Sequence, residues 1–257
     1  MTADPLDDPA GAERPPAVSV HNAQLVYATE TLFAGLEFRL ESGAITALLG
    51  PSGVGKTSLL RLIAGLAQPG EQGRVDCDDR RPIAGRIAYM AQADLLLPWL
   101  RVRDNVTAGA RLRGETPEQG QAQSLLARVG MAGRGDAMPA MLSGGERQRA
   151  ALARTLMENR PVVLMDEPFS ALDAITRARL QELAVALLRG RTVLLVTHDP
   201  LEALRIADRI HVMAGRPATL DRALEIPGRG PRDIASPMLT SLYDDLMGRL
   251  SSADVAP

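Results

Sequence analysis

The sequence has 257 residues, of which 23% are charged, and its formal net charge is −2 at pH 7. A chain this close to neutral lacks the basic footprint of a nucleic-acid-binding protein, so no nucleic-acid partner is expected. The single cysteine, Cys77, excludes an intrachain disulfide and is typical of a reducing compartment. No apolar run reaches the roughly 18 residues of a membrane span, and the N-terminus lacks a signal-peptide pattern, which favours a soluble intracellular protein.

The first part of the chain is predicted to begin as a disordered tail and to continue as strands. Residues 1–17 are acidic and proline-rich, a composition that favours disorder. The segment 18–27 alternates like a strand, and two further strands follow, joined by a turn at Ser42 and Gly43. After them, apolar residues recur at helical spacing up to Gly65. The predicted buried face of this helix carries Leu59, Leu62, Ile63 and Leu66.

The second part predicts a helical segment followed by alternating strands and helices. Residues from about 93 to 158 are typical of helices and loops and form a predicted helical subdomain. The apolar runs VVLM and TVLLV then flank an amphipathic helix with Leu180, Leu183 and Leu187 on its core face. Strands separated by helices of this length indicate a parallel, helix-covered sheet, so the predicted fold class is α/β. Residues 226–257 are expected to be a short extension with one helix.

The stretch GPSGVGKT, residues 50–57, contains the only lysine of the chain. It lies between an apolar strand and an amphipathic helix, the context that a phosphate-binding loop requires. Glycines let backbone N–H groups turn inward around an anion, and the following helix adds its positive N-terminal end. Lys56 is predicted to contact the β- and γ-phosphates of a nucleotide, and Thr57 to offer its hydroxyl to Mg²⁺. The residues predicted to bind the nucleotide here are Gly50, Pro51, Ser52, Gly53, Val54, Gly55, Lys56, Thr57 and Ser58.

A pair of acids, Asp166 and Glu167, follows the apolar run VVLM. Ligands of open parallel sheets bind at the carboxyl edge of the strands, which is where this pair would lie. Asp166 is predicted to orient Mg²⁺ or its water, and Glu167 to activate the attacking water as a general base. An acidic pair after a strand is also typical of an ordinary turn, but the phosphate loop in the same chain favours the chemical interpretation.

A third segment, Ser143, Gly144 and Gly145, precedes an alanine-rich helix. A hydroxyl and free amides at a helix N-terminus form a second geometry that suits an anion. The alternative is an ordinary serine N-cap with a capping box to Glu146, and both interpretations can hold together. Because this segment has no lysine of its own, it makes sense as a lid over nucleotide bound by another copy of the chain.

Together these segments resemble the nucleotide-binding subunit of an ABC transporter. GPSGVGKT is similar to the Walker A motif of that family, VVLMDE to Walker B, and LSGGERQ to the signature motif. SALD resembles the D-loop and adds Asp173 to the predicted nucleotide-binding residues. Gln92 in AYMAQ is similar to the Q-loop residue, His198 to the switch histidine, and Tyr27 to the aromatic residue that stacks on adenine. The resemblance implies an ATPase domain over residues 18–225.

The resemblance implies a fold, a reaction and a set of partners. The fold would be a P-loop NTPase core with a parallel sheet, a small antiparallel β subdomain and the helical subdomain. ATP would be hydrolysed with Mg²⁺ by Glu167, His198 and Lys56, with Thr57, Gln92 and Asp166 around the metal. Each ATP would lie between the Walker A loop of one subunit and the signature loop of the other in a head-to-tail dimer. Two membrane permease subunits and an external substrate-binding protein would complete the assembly at the cytoplasmic face of the inner membrane.

The segment LLLPWLRVRDNV is similar to importer subunits for taurine, alkanesulfonates, nitrate and thiamine-precursor pyrimidines, and the pyrimidine precursor is favoured among these cargoes. Trp99 within it is predicted to anchor the packing of the helical subdomain, with a partner contact as the alternative. Other functions stay open: an ATPase acting on nucleic acid or the ribosome, or a nucleotide-gated switch without hydrolysis. An ATPase that acts on nucleic acid or the ribosome would need a long coiled coil or a second ATPase head. Glu167 argues against a switch without hydrolysis.

Overall fold

The computed structural model describes residues 14–27 and 30–255, and their side chains up to residue 253. The described strands are β1 (Val18–Tyr27), β2 (Glu30–Leu40), β3 (Ile45–Leu49), β4 (Arg74–Cys77), β5 (Ile87–Met90), β6 (Val162–Asp166), β7 (Thr192–Val196), β8 (Arg209–Ala214), β9 (Thr219–Leu220) and β10 (Leu224–Glu225). The described helices are α1 (Lys56–Ile63), α2 (Val102–Val106), α3 (Ala108–Leu112), α4 (Gln119–Arg128), α5 (Gly144–Met157), α6 (Ala174–Leu188), α7 (Pro200–Ile206) and α8 (Pro237–Val255), with a 3-10 turn at Pro139–Met141.

The larger sheet has the strand order β10-β8-β3-β7-β6-β5, with β9 paired to β8. Strands β8, β3, β7, β6 and β5 run parallel, so the carboxyl ends of β3, β6 and β7 meet at one edge. Successive residues of these strands face opposite sides of the sheet, and both sides are covered. Leu48, Leu164 and Leu194 join one hydrophobic cluster, whereas their neighbours join another. Burial on both faces explains why these strands are continuous apolar runs rather than alternating ones.

One face of the larger sheet is covered by α1 and by a smaller antiparallel sheet of order β2-β1-β4. The inward side of α1 is fully buried, and each leucine on it stabilises the fold by about 1.5–3 kcal/mol. The helix ends where Gly65 adopts φ +74°, a left-handed conformation that suits glycine. Leu66, predicted on the buried face, lies beyond this end and is 65% exposed, so that part of the prediction is wrong.

The opposite face is covered by the helices between β5 and β8 and by α8. Helices α2 to α5 lie within the segment 93–158, where the sequence predicts a helical subdomain. Leu180 and Leu187 of α6 are buried as predicted, and Leu183 is partly buried against the same cluster. Helix α8, in the predicted C-terminal extension, packs against α7 and β8 through residues such as Leu246. Fold class and layers therefore agree with the α/β prediction.

Two segments differ from the sequence-based expectations. Most of the predicted disordered tail, residues 1–13, lies outside the described residues, but residues 14–17 are held in place. The N–H of Ala17 donates to Asp78, and the carbonyl of Pro16 accepts from Thr192. Trp99 is 70% exposed, so the prediction that it anchors the packing of the helical subdomain is wrong. In the described part of the chain, no helix is both long enough and apolar enough to cross a bilayer.

Candidate nucleotide site

The loop between β3 and α1 curls around the Lys56 ammonium. Gly50, Gly53 and Gly55 all have positive φ, and a Cβ at Gly50 would clash with the backbone carbonyl of Met213. The Lys56 ammonium donates to the carbonyl oxygens of Gly50 at 2.7 Å and Pro51 at 2.8 Å. The first N–H groups of α1 have no partner within the helix, as at any helix start. The loop therefore combines free amides, a helix N-terminus and a fixed positive charge, which together suit a polyphosphate.

Lys56 is only 8% exposed, and its charge is balanced by the two acids at the end of β6. Burial lowers the pKa of the Lys56 ammonium, while the charges of Glu167 and Asp166 act in the opposite direction. The ammonium is thus held by two local carbonyls, in the field of two nearby carboxylates, and does not extend into solvent. This is the arrangement expected of a group that moves little when it exchanges carbonyl partners for phosphate oxygens.

Thr57 and Asp166 meet at the carboxyl edge of the sheet. The Thr57 hydroxyl donates to Asp166 Oδ2 at 2.8 Å, and Asp166 is 2% exposed. Burial raises the pKa of the Asp166 carboxyl above its usual range, and the Thr57 bond opposes that shift. A nearby cation would stabilise the charged form of this buried carboxylate. Hard oxygen donors such as the Asp166 carboxylate and the Thr57 hydroxyl suit Mg²⁺. Two of the three side chains that are predicted to lie around the metal, Thr57 and Asp166, therefore fit the ion chemically.

Glu167 lies one residue beyond Asp166 with its carboxylate between two other predicted site residues. His198 Nδ1 is 3.2 Å from Glu167 Oε1, and the Gln92 amide donates to Glu167 Oε2 at 3.4 Å. Gln92 contacts Glu167 in this arrangement, and its predicted contact with Mg²⁺ remains a prediction. The Glu167 side chain is 19% exposed, so water can reach a carboxylate that is otherwise held from two sides.

Ser143 begins α5 and is held by local bonds. Its hydroxyl accepts from the Glu146 N–H at 3.2 Å, and the Glu146 carboxylate accepts from the Ser143 N–H at 2.9 Å. This is the capping box that the sequence offered as the alternative interpretation. Ser143 and Gly144 are exposed, and no hydrogen bond among the described residues joins them to residues 50–58. The structure therefore does not bring these two predicted anion sites together within one chain.

Asp173 and Tyr27 lie at the border of the site. The Asp173 carboxylate accepts from the Thr176 N–H at 3.0 Å and caps α6, and that bond lowers the pKa of Asp173. Tyr27 is 77% exposed at the end of β1. The same small sheet reaches the phosphate loop, because the Phe33 ring lies 3.5 Å from the Cβ position of Gly55. Tyr27 is thus free to receive a flat ligand, and its contact with adenine remains a prediction.

Sequence reasoning missed Gln148, which holds the loop after Glu167. Its side chain is 6% exposed, donates to the Glu167 carbonyl at 2.9 Å and accepts from the Ala171 N–H at 2.9 Å. The available signal was a polar residue on the core face of a helix, four residues before the buried Leu152. A buried polar side chain on such a face must have partners, so it indicated a contact.

Comparisons with known proteins found a family, relatives and a solved structure to which this chain is similar. A model of the ABC transporter family matches residues 33–170. An uncharacterized ABC transporter ATP-binding protein of Haemophilus influenzae is 43% identical over 242 residues, which cover 91% of this chain and 98% of the relative. An aliphatic sulfonates import ATP-binding protein of Rhodococcus jostii is 44% identical over 232 residues, which cover 90% of this chain and 91% of the relative. The dimeric post-hydrolysis structure of an ATP-binding cassette bound to ADP and Pi has a TM-score of 0.73 and 27% identity, covering 82% of this chain and 99% of that one.

Proposed function

This chain belongs to the ABC transporter family, and on that premise we propose that it powers an importer for a small organic anion of the aliphatic sulfonate class. It is an ABC-type ATPase, as the sequence predicted. The observation that carries the hydrolytic part of the proposal is the meeting of Glu167, His198 and Gln92 at the sheet edge, and the cargo class rests on the named relatives. At that edge, His198 and Gln92 contact the Glu167 carboxylate, and the buried Lys56 ammonium lies in the phosphate loop.

The geometry supports hydrolysis with Glu167 as the base. Water attacks the γ-phosphorus of ATP, its proton passes to the Glu167 carboxylate, and the bond to the β–γ bridging oxygen breaks to release ADP and phosphate. Lys56 and the loop amides stabilise the charge on the phosphate oxygens, and Thr57 and Asp166 would hold Mg²⁺. Bound there, Mg²⁺ would supply positive charge beside the β- and γ-phosphates. His198 and Gln92 keep the carboxylate oriented towards the water.

The test of the base is Glu167→Gln, which keeps the size of the side chain but cannot accept the proton. We expect turnover to fall by about 10²–10⁴ while ATP affinity is retained. Steady-state phosphate release and fluorescent-nucleotide titration measure the two quantities separately. Glu71→Gln, at an exposed position, is the matched control and should behave like the wild type. Wild-type turnover in Glu167→Gln would rule out this assignment.

We also propose that a second copy of the chain completes each site. Ser143 and Gly144 are exposed and aim no hydrogen bond at their own phosphate loop, so they are available to nucleotide bound elsewhere. The related cassette described above forms a dimer. In the Glu167→Gln variant, ATP should convert monomers to dimers in light scattering. A monomer at saturating ATP would count against the shared site.

A permease contact is proposed at the segment after Gln92. Leu95 is 61% exposed and Trp99 is 70% exposed. The segment is rigid, because the fully buried Asn105 bonds to the backbone of Leu97 and Leu100, and Arg154 donates to the Leu95 carbonyl. Two exposed apolar side chains on a segment that is held in place by buried hydrogen bonds suit a hydrophobic partner surface. The membrane subunits would therefore hold the chain at the cytoplasmic face, and Trp99→Ala should abolish co-purification with them at unchanged basal turnover.

An ATPase subunit does not need to contact the cargo, so its own residues do not identify it. The cargo is therefore proposed from the named relatives. Aliphatic sulfonates are favoured over the pyrimidine precursor that the sequence suggested. Cells that lack this gene should lose accumulation of a labelled alkanesulfonate but not of hydroxymethylpyrimidine, taurine or nitrate. An external binding protein for the same cargo is expected to be required. Loss of hydroxymethylpyrimidine uptake instead would restore the original prediction.

A further inference from the structure

The backbone of Glu167 has an unusual conformation that other residues must hold. Its φ is +49°, a left-handed value that costs a residue with a side chain free energy. Its N–H donates to the Val196 carbonyl at 2.8 Å, which fixes one side of the residue to β7. Its carbonyl accepts from Gln148 at 2.9 Å and from the Ser170 hydroxyl at 3.1 Å. The direction of the Glu167 side chain therefore depends on hydrogen bonds from outside its own strand.

Gln148 uses both ends of its amide in this loop. Its NH₂ group donates to the Glu167 carbonyl, and its oxygen accepts from the Ala171 N–H at 2.9 Å. The two bonds span the loop from the base to the residues just before Asp173. The amide is almost fully buried, so these bonds are not exchanged for water.

The same helix carries the exposed Ser143 about one and a half turns earlier. Between the two residues, Gly145 is in close contact with the loop, since its Cβ position lies 3.4 Å from the Ala171 carbonyl and from Leu172. The start of α5 thus touches the loop after Glu167 at two points. A shift of α5 would be transmitted to the Glu167 carbonyl through the Gln148 amide.

We propose that Gln148 is a positioning residue that fixes the catalytic conformation of Glu167 and couples it to the signature segment of the same chain. The inference rests on the proposed function, in which Ser143 closes over the nucleotide of a second copy. Closure at that second nucleotide then moves α5 and sets Glu167 over the nucleotide of its own chain. Gln148 is the link by which each of the two sites reports its occupancy to the other.

The decisive variant is Gln148→Glu, in which a carboxylate still accepts from Ala171 but no longer donates to Glu167. We expect kcat to fall about tenfold with ATP affinity unchanged, and the Hill coefficient for ATP to fall towards one. Lowering the pH protonates the new carboxyl and restores a donor, so kcat relative to wild type should rise. A residue with a merely structural role would change the folded fraction instead. Gln123→Glu, an exposed position on α4, is the matched control.

Ser170→Ala keeps the proposal testable if Gln148→Glu fails to fold. Ser170 is exposed and gives the other side-chain bond to the Glu167 carbonyl, so its loss should lower kcat a few-fold with the same unchanged affinity. Wild-type kcat and Hill coefficient in either variant would overturn the inference. Glu167→Gln is measured alongside these variants. If Glu167→Gln is inactive while the Gln148 and Ser170 variants behave like wild type, the proposed function stands and only this inference fails. Wild-type turnover in Glu167→Gln would remove the proposed function itself.

Discussion

The carboxyl edge of the larger sheet and the start of α5 both carry predicted nucleotide ligands, but they are held in different ways. At the sheet edge, Lys56 is 8% exposed and Asp166 is 2% exposed, and each has partners within the chain. At the start of α5, Ser143 and Gly144 are exposed, and Ser143 is engaged only in its capping box. The first region is organised by bonds between distant parts of the chain before any ligand arrives, whereas the second is exposed and bonded only within the first turn of α5.

This difference predicts where the effect of a substitution will be seen. Changes at the sheet edge should alter the isolated chain, because its charges balance one another in a buried setting. Changes at the start of α5 should leave nucleotide binding by the isolated chain intact and appear only when two copies meet. Two variants, one in each region, test this comparison, and a third on α7 tests a buried carboxyl outside both regions; they follow in order of the expected effect.

Lys56→Ala should have the largest effect. It removes the only ammonium among the phosphate ligands and leaves two loop carbonyls without their donor. Truncating one partner of a buried charge contact costs roughly 2–5 kcal/mol, so ATP affinity should fall by about 30-fold to a few thousand-fold. Fluorescent-nucleotide titration of the monomer measures it. Arg61→Ala, which removes an exposed charge from the same helix, should change affinity little, and equal losses in the two variants would mean a general charge effect.

Glu202→Gln should have the next largest effect, on stability rather than binding. Glu202 is 5% exposed on α7, where it accepts from Gln181 and lies near Asp199, Arg177 and Thr197. Burial raises the pKa of this carboxyl from 4.5 to about 7. The folded state therefore favours the proton, so this contribution is full below about pH 4.5 and is lost as the pH rises through about 7.

The shift corresponds to about 3 kcal/mol between the two limits. Glutamine has no proton to lose, so the free energy of unfolding of Glu202→Gln, minus that of wild type, should grow by about that amount from pH 4.5 to pH 8. Urea titrations at several pH values provide the measurement, and Glu225→Gln, at a 60% exposed side chain, is the control. A difference that does not change with pH would mean that folding leaves the pKa of Glu202 unchanged.

The sheet edge could be predicted from the sequence, but its supports could not. Lys56 and Asp166 were predictable because their positions follow from neighbouring sequence. Lys56 lies in a loop between a strand and a helix, and Asp166 lies at the end of a buried strand. Gln148 bonds to residues 19 and 23 positions further along the chain, through a loop whose geometry depends on the positive φ of Glu167. Trp99 was placed in the core because its size favours burial, but Asn105 fixes the loop around it and leaves it outside.

Ser143→Ala should have the smallest effect on the isolated chain and a clear one on the dimer. Loss of the N-cap oxygen should cost about 1 kcal/mol of unfolding free energy without changing ATP affinity of the monomer. Ser143→Asn separates the two roles, because asparagine caps a helix about as well as serine but has no hydroxyl for a phosphate. Stability should therefore recover in Ser143→Asn, while ATP-dependent dimerisation and turnover stay impaired in both variants. Recovery of both properties together would mean that Ser143 acts only as a cap, and the start of α5 would then need another group to reach the second nucleotide.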